Sequence, residues 1–193
     1  SKLKDMQDTL PIHFAPLQGY TEAIYRNAHD AFFGGVDTYY TPFVRLEKGN
    51  FRRRDVRGIE PENNGVPHLI PQLIASSAEK AEVILSLFIE KGYQEVDINL
   101  GCPFPLLAKR HNGSGILPYP EEVKALLSIV TRYPQISFSV KMRLGWEQPD
   151  ECLALAPILN DLPLRQITMH PRLGKQGYKG EVDLQGFSAF REV

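Results

Sequence analysis

The sequence predicts an α/β protein built on a parallel sheet, and three observations carry that expectation. Six short runs, IHFAP (12–16), TYYTPF (38–43), HLIPQLI (68–74), EVDINL (95–100), SFSVKMR (137–143) and RQITMH (165–170), have the length and the β-branched or aromatic content of strands. Most successive runs begin about 30 residues apart, the size of a strand-helix-strand unit. Longer segments of helical period lie between them. Such a sheet can be open or closed, but an eight-stranded barrel takes about 250 residues and this chain has 193, so six strands alone do not close one.

The helices follow from their end signals. Ser76 opens a Ser-Ser-Ala-Glu capping box with Glu79, the stripe Ala81, Ile84, Leu85 and Phe88 has helical spacing, and Gly92 supplies the stop. Pro120 suits a first turn, Glu121 and Glu122 favour the positive end of a helix dipole, and Val123, Leu126, Leu127 and Val130 form the stripe to be buried. A further helix over 150–160 is perturbed by Pro157, and LQGFSAFREV (184–193) reads as the first turns of another. FRRRDVRGIEPENNG (51–65) is the one long polar loop, either a solvated connection or a local phosphate-contacting patch. No linker divides the chain, so residues 1–193 are expected to form one unit.

Lys and Arg number 22 against 23 Asp and Glu, so bulk charge does not indicate a polyanionic partner, and any nucleic-acid site must be a local patch. Two cysteines far apart in sequence, Cys102 and Cys152, form no multi-bridge framework and favour a reducing compartment. Neither lies in a metal-ligand cluster, so no metal site is expected. No apolar stretch approaches a membrane span, and the polar opening SKLKDMQDTL lacks the apolar core of a signal peptide. A cytoplasmic protein is expected, with no membrane association and no stable protein partner inferred.

Chemistry in parallel α/β folds gathers where strands end. Here those ends carry Pro16, Leu17, Gln18 and Gly19, then Gln72, Asn99 with Cys102, Lys141 with Arg143, and His170 with Arg172. Cys152, inside a helical stretch, reads as a small buried hydrophobe. Cys102 stands directly after a strand between Gly101 and Pro103, ahead of Lys109, Arg110 and His111, where a thiol can act as proton donor or as activated nucleophile. Lys141 reads as a cation for a phosphate or electron-rich ring, as a Schiff-base amine, or as a snorkelling strand-end lysine. His170, Gln72 and Asn99 each suit either a structural hydrogen bond or a heteroaromatic ligand. GSGIL (113–117) lacks the spacing of a phosphate-binding motif and reads as a flexible segment of a lid.

Four stretches in order resemble the tRNA-dihydrouridine synthases: APLQGYTEAIYR (15–26), DINLGCP (97–103) with GSGILP after it, VKMRLG (140–145) and MHPRLGKQGYKG (169–180). The resemblance implies a (β/α)8 TIM-type barrel that uses FMN and NADPH to reduce the C5–C6 bond of a uridine in tRNA. It implies that Cys102 protonates C5 while hydride from reduced flavin reaches C6. By the same likeness Lys141, Gln72, His170 and the segment Ala15, Pro16 and Leu17 bind the cofactor, and Asn99, Arg143 and Arg172 the substrate. The family's last two barrel strands and helical tRNA-binding domain have no counterpart by Val193, so the expected fold is an incomplete barrel of about six βα units, the N-terminal part of the catalytic domain. Ile116, Leu117 and Pro118 depart from the family's usual residues after the GSG.

Two other readings compete. One is an aldolase-type lyase using Lys141 as a Schiff base. The other is a non-catalytic RNA-binding remnant of a synthase.

Overall fold

Six strand positions follow one another in chain order across a parallel sheet in the computed structural model, which describes residues 10–193. The elements are β1 (His13–Phe14), α1 (Ala23–Phe32), β2 (Thr38–Tyr40), β3 (Leu46–Glu47), β4 (Asn50–Phe51), α2 (Arg53–Ile59), β5 (Leu69–Ile70), β6 (Gln72–Leu73) and α3 (Ala78–Glu90). They continue with β7 (Glu95–Leu100), α4 (Pro105–Ala108), α5 (Pro120–Leu127), α6 (Ile129–Arg132), β8 (Ser137–Gly145), α7 (Glu151–Asn160), β9 (Gln166–Leu173) and α8 (Leu184–Arg191). Strands β1, β2 and β5 pair in that order, as do β6, β7, β8 and β9, all parallel. The expected run 68–74 is split into β5 and β6 by Pro71, which has no N–H for the ladder. The two halves stay joined because Val44 bridges Leu73, with Val44 N donating to Gln72 O at 2.8 Å. The result is the sheet of a partial TIM barrel, and the described strands form no closed barrel.

Alternation along the strands gives the sheet two unlike faces. Val96, Ile98 and Leu100 of β7 and Phe138, Val140, Met142 and Leu144 of β8 are fully buried in one core with Ile84, Leu85 and Phe88 of α3 and Val123, Leu126 and Leu127 of α5. The intervening residues, Glu95, Asp97 and Asn99 on β7, Ser139, Lys141 and Arg143 on β8, and Thr168 and His170 on β9, are polar. Parallel register sets Asn99 beside Lys141 and Arg143 beside His170.

The helices at 76–90, 120–130 and 150–160 occur with their stripes buried, and Cys152 is fully buried in α7. Four details differ from expectation. The cap of α3 is Ser77, whose Oγ accepts from Lys80 N at 3.4 Å, so Glu79 sits in the first turn beside the dipole rather than in a capping box with Ser76. The 120–130 segment breaks at Ser128 into α5 and α6. Helix α1 was not among the expected elements. The polar stretch 51–65 is not a plain loop: it holds part of the β3–β4 hairpin, α2 and a 3-10 turn. Long-range bonds order it, with the buried Arg26 guanidinium donating to Gly58 O (2.8 Å) and Asn64 Oδ1 (2.7 Å), and Tyr93 Oη donating to Ile59 O (2.5 Å). The reading of the polar opening segment falls largely outside the described residues.

GSGIL, expected as a flexible lid segment, is enclosed in this structure. Residues 113–116 form a buried 3-10 turn, and Leu117 is buried too. Gly113 has φ of +59°, and a Cβ there would lie 2.6 Å from Cys102 O; a Cβ on Gly115 would strike the backbone of Ala108. These glycines allow close backbone approach under the Cys102 loop. Gly115→Ala is therefore expected to lower unfolding free energy by about 1–3 kcal/mol, the usual cost of overpacking, read as a shift in the urea midpoint with an unchanged slope.

Candidate functional site

A buried carboxylate organises the carboxyl edge of the sheet. Asp97, 2% exposed in the middle of β7, accepts from Ser139 Oγ at 2.6 Å and from Gln72 Nε2 at 2.7 Å. Burial pushes its pKa up, while the Gln72 and Ser139 hydrogen bonds and the Lys141 and Arg165 charges oppose that shift. Ser139 Oγ accepts in turn from Arg165 Nη2 at 3.0 Å. On the other side Gln72 Oε1 accepts from Asn99 Nδ2 at 2.9 Å, and Gln72 N donates to Thr41 Oγ1 at 3.0 Å.

Asn99 completes the chain. Its Oδ1 accepts from the backbone N–H of Gly101 and of Cys102, both at 2.9 Å, so the end of β7 turns tightly and presents Cys102 at a fixed place. The carbonyl of Cys102 accepts from Ser114 N (3.0 Å) and Ser114 Oγ (2.9 Å), which ties the returning 3-10 turn beneath it. The thiol is half-buried, and its pKa is pushed up by burial, only partly opposed by the Phe104 N–H and the charges of Arg143 and Lys141. A thiol so placed is protonated at neutral pH and suited to giving a proton, not to attacking as a thiolate.

One cleft is lined by Pro16, Leu17, Gln72, Asn99, Cys102, Lys141, Arg143 and His170, together with Gln18, Phe43 and Tyr178. Eight of the ten expected site residues thus meet in one place. Ala15 is exposed and does not line the cleft; Arg172 sits behind it, donating from Nη1 to His170 Nε2 (3.0 Å) and from Nε to Gly180 O (3.1 Å). Because arginine can only donate, His170 holds its proton on Nδ1. Burial, followed by the charges of Arg143, Lys141 and Arg172, pushes the His170 pKa down to about 4, so the ring is neutral at physiological pH.

The cations differ from one another. Lys141 Nζ makes no hydrogen bond or ion pair among the described residues, and burial lowers its pKa, with Asp97 opposing. Arg143, by contrast, is 2% exposed and spent on structure: Nη1 donates to Leu173 O (3.0 Å) and Gly177 O (2.6 Å), and the guanidinium lies 5.3 Å from the Tyr178 ring centre. It fixes the loop after β9. From Cys102 the cleft continues into a wider groove whose walls include Tyr20, Phe104, Tyr119, Trp146, Lys109 and Lys179. His111 on that wall pairs with Glu122 at 2.7 Å and stacks on Tyr119.

Sequence reasoning missed Asp97, Ser139 and Tyr178. The signal for the first two was the period of two, since Glu95, Asp97 and Asn99, like Ser137, Ser139 and Lys141, alternate with apolar neighbours. Tyr178, in the loop after β9, had no comparable pattern. Among the described residues no cluster of His, Cys, Asp or Glu could hold a metal ion, and no helix is long and apolar enough to cross a membrane.

The geometry can be set beside known proteins. The family model described as Dihydrouridine synthase (Dus) matches residues 13–192. A "Probable tRNA-dihydrouridine synthase 1" of Synechocystis sp. is 27% identical over 186 residues, 93% of this chain and 50% of the relative. A "tRNA-dihydrouridine(16) synthase" of Haemophilus ducreyi is 28% identical over 187 residues, 88% of this chain and 54% of its own. "tRNA-dihydrouridine synthase B" of Vibrio cholerae is 30% identical over 122 residues, 63% of this chain and 36% of its own. The chain thus spans about half the length, or less, of these relatives. With the family model matched from the first strand to the last helix, the chain belongs to the dihydrouridine synthase family, an oxidoreductase family.

Proposed function

We propose that this chain is the N-terminal, FMN-binding part of a cytoplasmic enzyme that reduces a uridine of tRNA to 5,6-dihydrouridine. The observation that carries the reading is the Cys102 thiol, kept protonated by burial at the mouth of a cleft that also holds a lysine without a partner among the described residues. Family membership supports the same chemistry. The chain is taken to work with further barrel strands and a helical tRNA-binding domain.

The donor set suits a flavin. An isoalloxazine ring is flat and apolar on its faces and polar at its edges, and this cleft offers the Lys141 cation, the neutral His170 ring and the Gln72 amide, with Pro16 and Leu17 beside them. FMN reduced by NADPH would supply a hydride to C6 of the uracil. Cys102 would give its proton to C5, so that one hydride and one proton together saturate the double bond. The thiolate left behind is stabilised by the nearby charges of Arg143 and Lys141 and regains its proton from water.

Asn99 keeps one amide N–H after bonding Gln72, which it would offer to a uracil carbonyl. Arg143 and Arg172 would contribute through the loop they hold rather than through direct contact. The wide groove leading to Cys102 gives a base turned out of the tRNA a path into the cleft.

A lysine whose pKa is lowered by burial also fits a Schiff-base lyase using Lys141. Borohydride reduction in the presence of carbonyl compounds separates the two: the flavin reading expects no adduct at Lys141, and a stoichiometric adduct would favour the lyase.

The direct test uses half-reactions of the full-length protein. Cys102→Ala is expected to leave FMN reduction by NADPH unchanged and to slow dihydrouridine formation on the order of 10²–10⁴-fold, the range of general-acid catalysis. Equal loss in both would make Cys102 structural. Because a proton donor works only while protonated and burial raises this pKa, wild-type dihydrouridine formation should stay level through neutral pH and fall only on the alkaline side of the ordinary thiol range. A rate that rises on that side would mean a thiolate is the working form. Lys141→Met should weaken FMN binding or slow its reduction, read by absorbance titration and stopped flow, whereas wild-type values would remove it from the cofactor site.

A further inference from the structure

The segment between β2 and β5 concentrates charge in a way the chain as a whole does not. Between Lys48 and Gly58 five cations, Lys48, Arg52, Arg53, Arg54 and Arg57, meet one carboxylate, Asp55, although the net charge of the protein is −1. The structure gives these cations two different jobs.

Arg52 anchors. It donates from Nε and Nη2 to the two oxygens of Asp55, both at 2.8 Å, and its guanidinium lies 5.9 Å from the ring centre of Phe43. Gln18, with its amide oxygen turned toward the guanidiniums, accepts from Arg54 (2.8 Å) and Arg52 (3.2 Å). Gln18 and Phe43 both line the cleft of Cys102 and Lys141, so the hairpin and α2 are fastened to its rim. Arg26 fixes the far end of α2 through Gly58 O.

Arg53 and Arg57 are free. Both are exposed, neither guanidinium makes a hydrogen bond or ion pair among the described residues, and their i, i+4 spacing puts them on one face of α2. They edge a shallow groove with Phe51, Val56, Glu60 and Asn63, and the Glu60 carboxylate there is taken by Lys91 at 2.8 Å. The nearby Glu62 is exposed, and its carboxylate has no partner among the described residues. Lys48, in the hairpin turn, is exposed and unpaired in the same sense. Unpaired guanidiniums one helical turn apart, on a helix held by Arg52 and Arg26 and edging a groove with Phe51 and Asn63, suit successive phosphates of a polynucleotide.

We propose that the β3–β4 hairpin and α2 form a docking arm for the sugar-phosphate backbone of the RNA substrate, fastened to the rim of the cleft through Arg52 and Arg54; this rests on the RNA-reducing reading above. Its contacts are to phosphates, so the arm adds affinity and orientation without reading sequence.

The test is fluorescence anisotropy of an unmodified tRNA transcript with the full-length protein across a potassium chloride series, comparing wild type, Arg53→Gln/Arg57→Gln and, as a control on the outer surface of α5, Lys124→Gln. All three positions are exposed, so folding should be kept, and matching circular dichroism and melting curves check it. The double variant is expected to reduce the slope of log affinity against log salt by about 1 per arginine, with KM for tRNA raised and kcat unchanged; Lys124→Gln should behave as wild type. Wild-type slope and affinity in the double variant, while the wild type itself binds tRNA, would overturn the arm and leave the proposed reaction intact. Absence of salt-dependent tRNA binding by the wild type would overturn the RNA reading and the arm with it. Loss of binding to anionic lipid vesicles with unaltered tRNA binding would also overturn the arm, by assigning the arginines to a membrane surface.

Discussion

Everything at the carboxyl edge of this sheet depends on placing the Asp97 carboxylate in the interior. An ionised carboxylate taken from water is costly unless its oxygens are satisfied. Here one oxygen is met by Ser139 and the other by Gln72. Committing Gln72 to Asp97 leaves its carbonyl to receive Asn99, and committing Asn99 to Gln72 aims its own carbonyl at the N–H groups of Gly101 and Cys102. The position of the thiol is therefore the last link of a chain that starts at Arg165 on the far side of Ser139. A half-satisfied network of this kind would be worse than an apolar core, which makes the arrangement cooperative: altering Gln72 or Asp97 would move the Cys102 turn as well as unpair a buried group.

The same network separates groups that are spent from groups that are available. Gln72 is bonded at both ends of its amide, Arg143 and Arg172 each tie two protein acceptors, and Asn99 keeps one N–H. Lys141 and His170 line the cleft, and neither Lys141 Nζ nor His170 Nδ1 has a partner among the described residues. Such preorganisation allows a ligand to be held by a few aimed donors while the remaining polar groups keep those donors in place. The loop behind Cys102 adds rigidity from below, where Gly113, Ser114 and Gly115 pack against the backbone at Cys102 and Ala108.

Much of the scaffold was legible in the residues because each strand was an apolar run of its own and each long helix carried a stripe and a stop. EVDINL and SFSVKMR even displayed, by alternation, which face would be polar. The roles within the site were less legible. Nothing local to Gln72 says that its amide is claimed by Asp97, 25 residues later, and nothing local to Arg143 says that its guanidinium closes a loop 30 residues on. The 51–65 stretch misled for the same reason: it reads as solvated charge, yet Arg26 and Tyr93, distant in sequence, supply the bonds that fold it. GSGIL looked mobile because glycine permits flexibility, whereas here it permits contact. In each case the deciding partner lay far along the chain.

The proposed work of this cleft is reduction of a uracil ring in tRNA. The most direct measurement is mass spectrometry of nucleosides from an unmodified tRNA transcript incubated with the full-length protein, FMN and NADPH. The expected result is conversion of a uridine to a species heavier by two hydrogens, dependent on both cofactors and abolished or severely slowed in Cys102→Ala. A protein that is folded, binds the transcript and leaves every uridine unchanged in mass would contradict it.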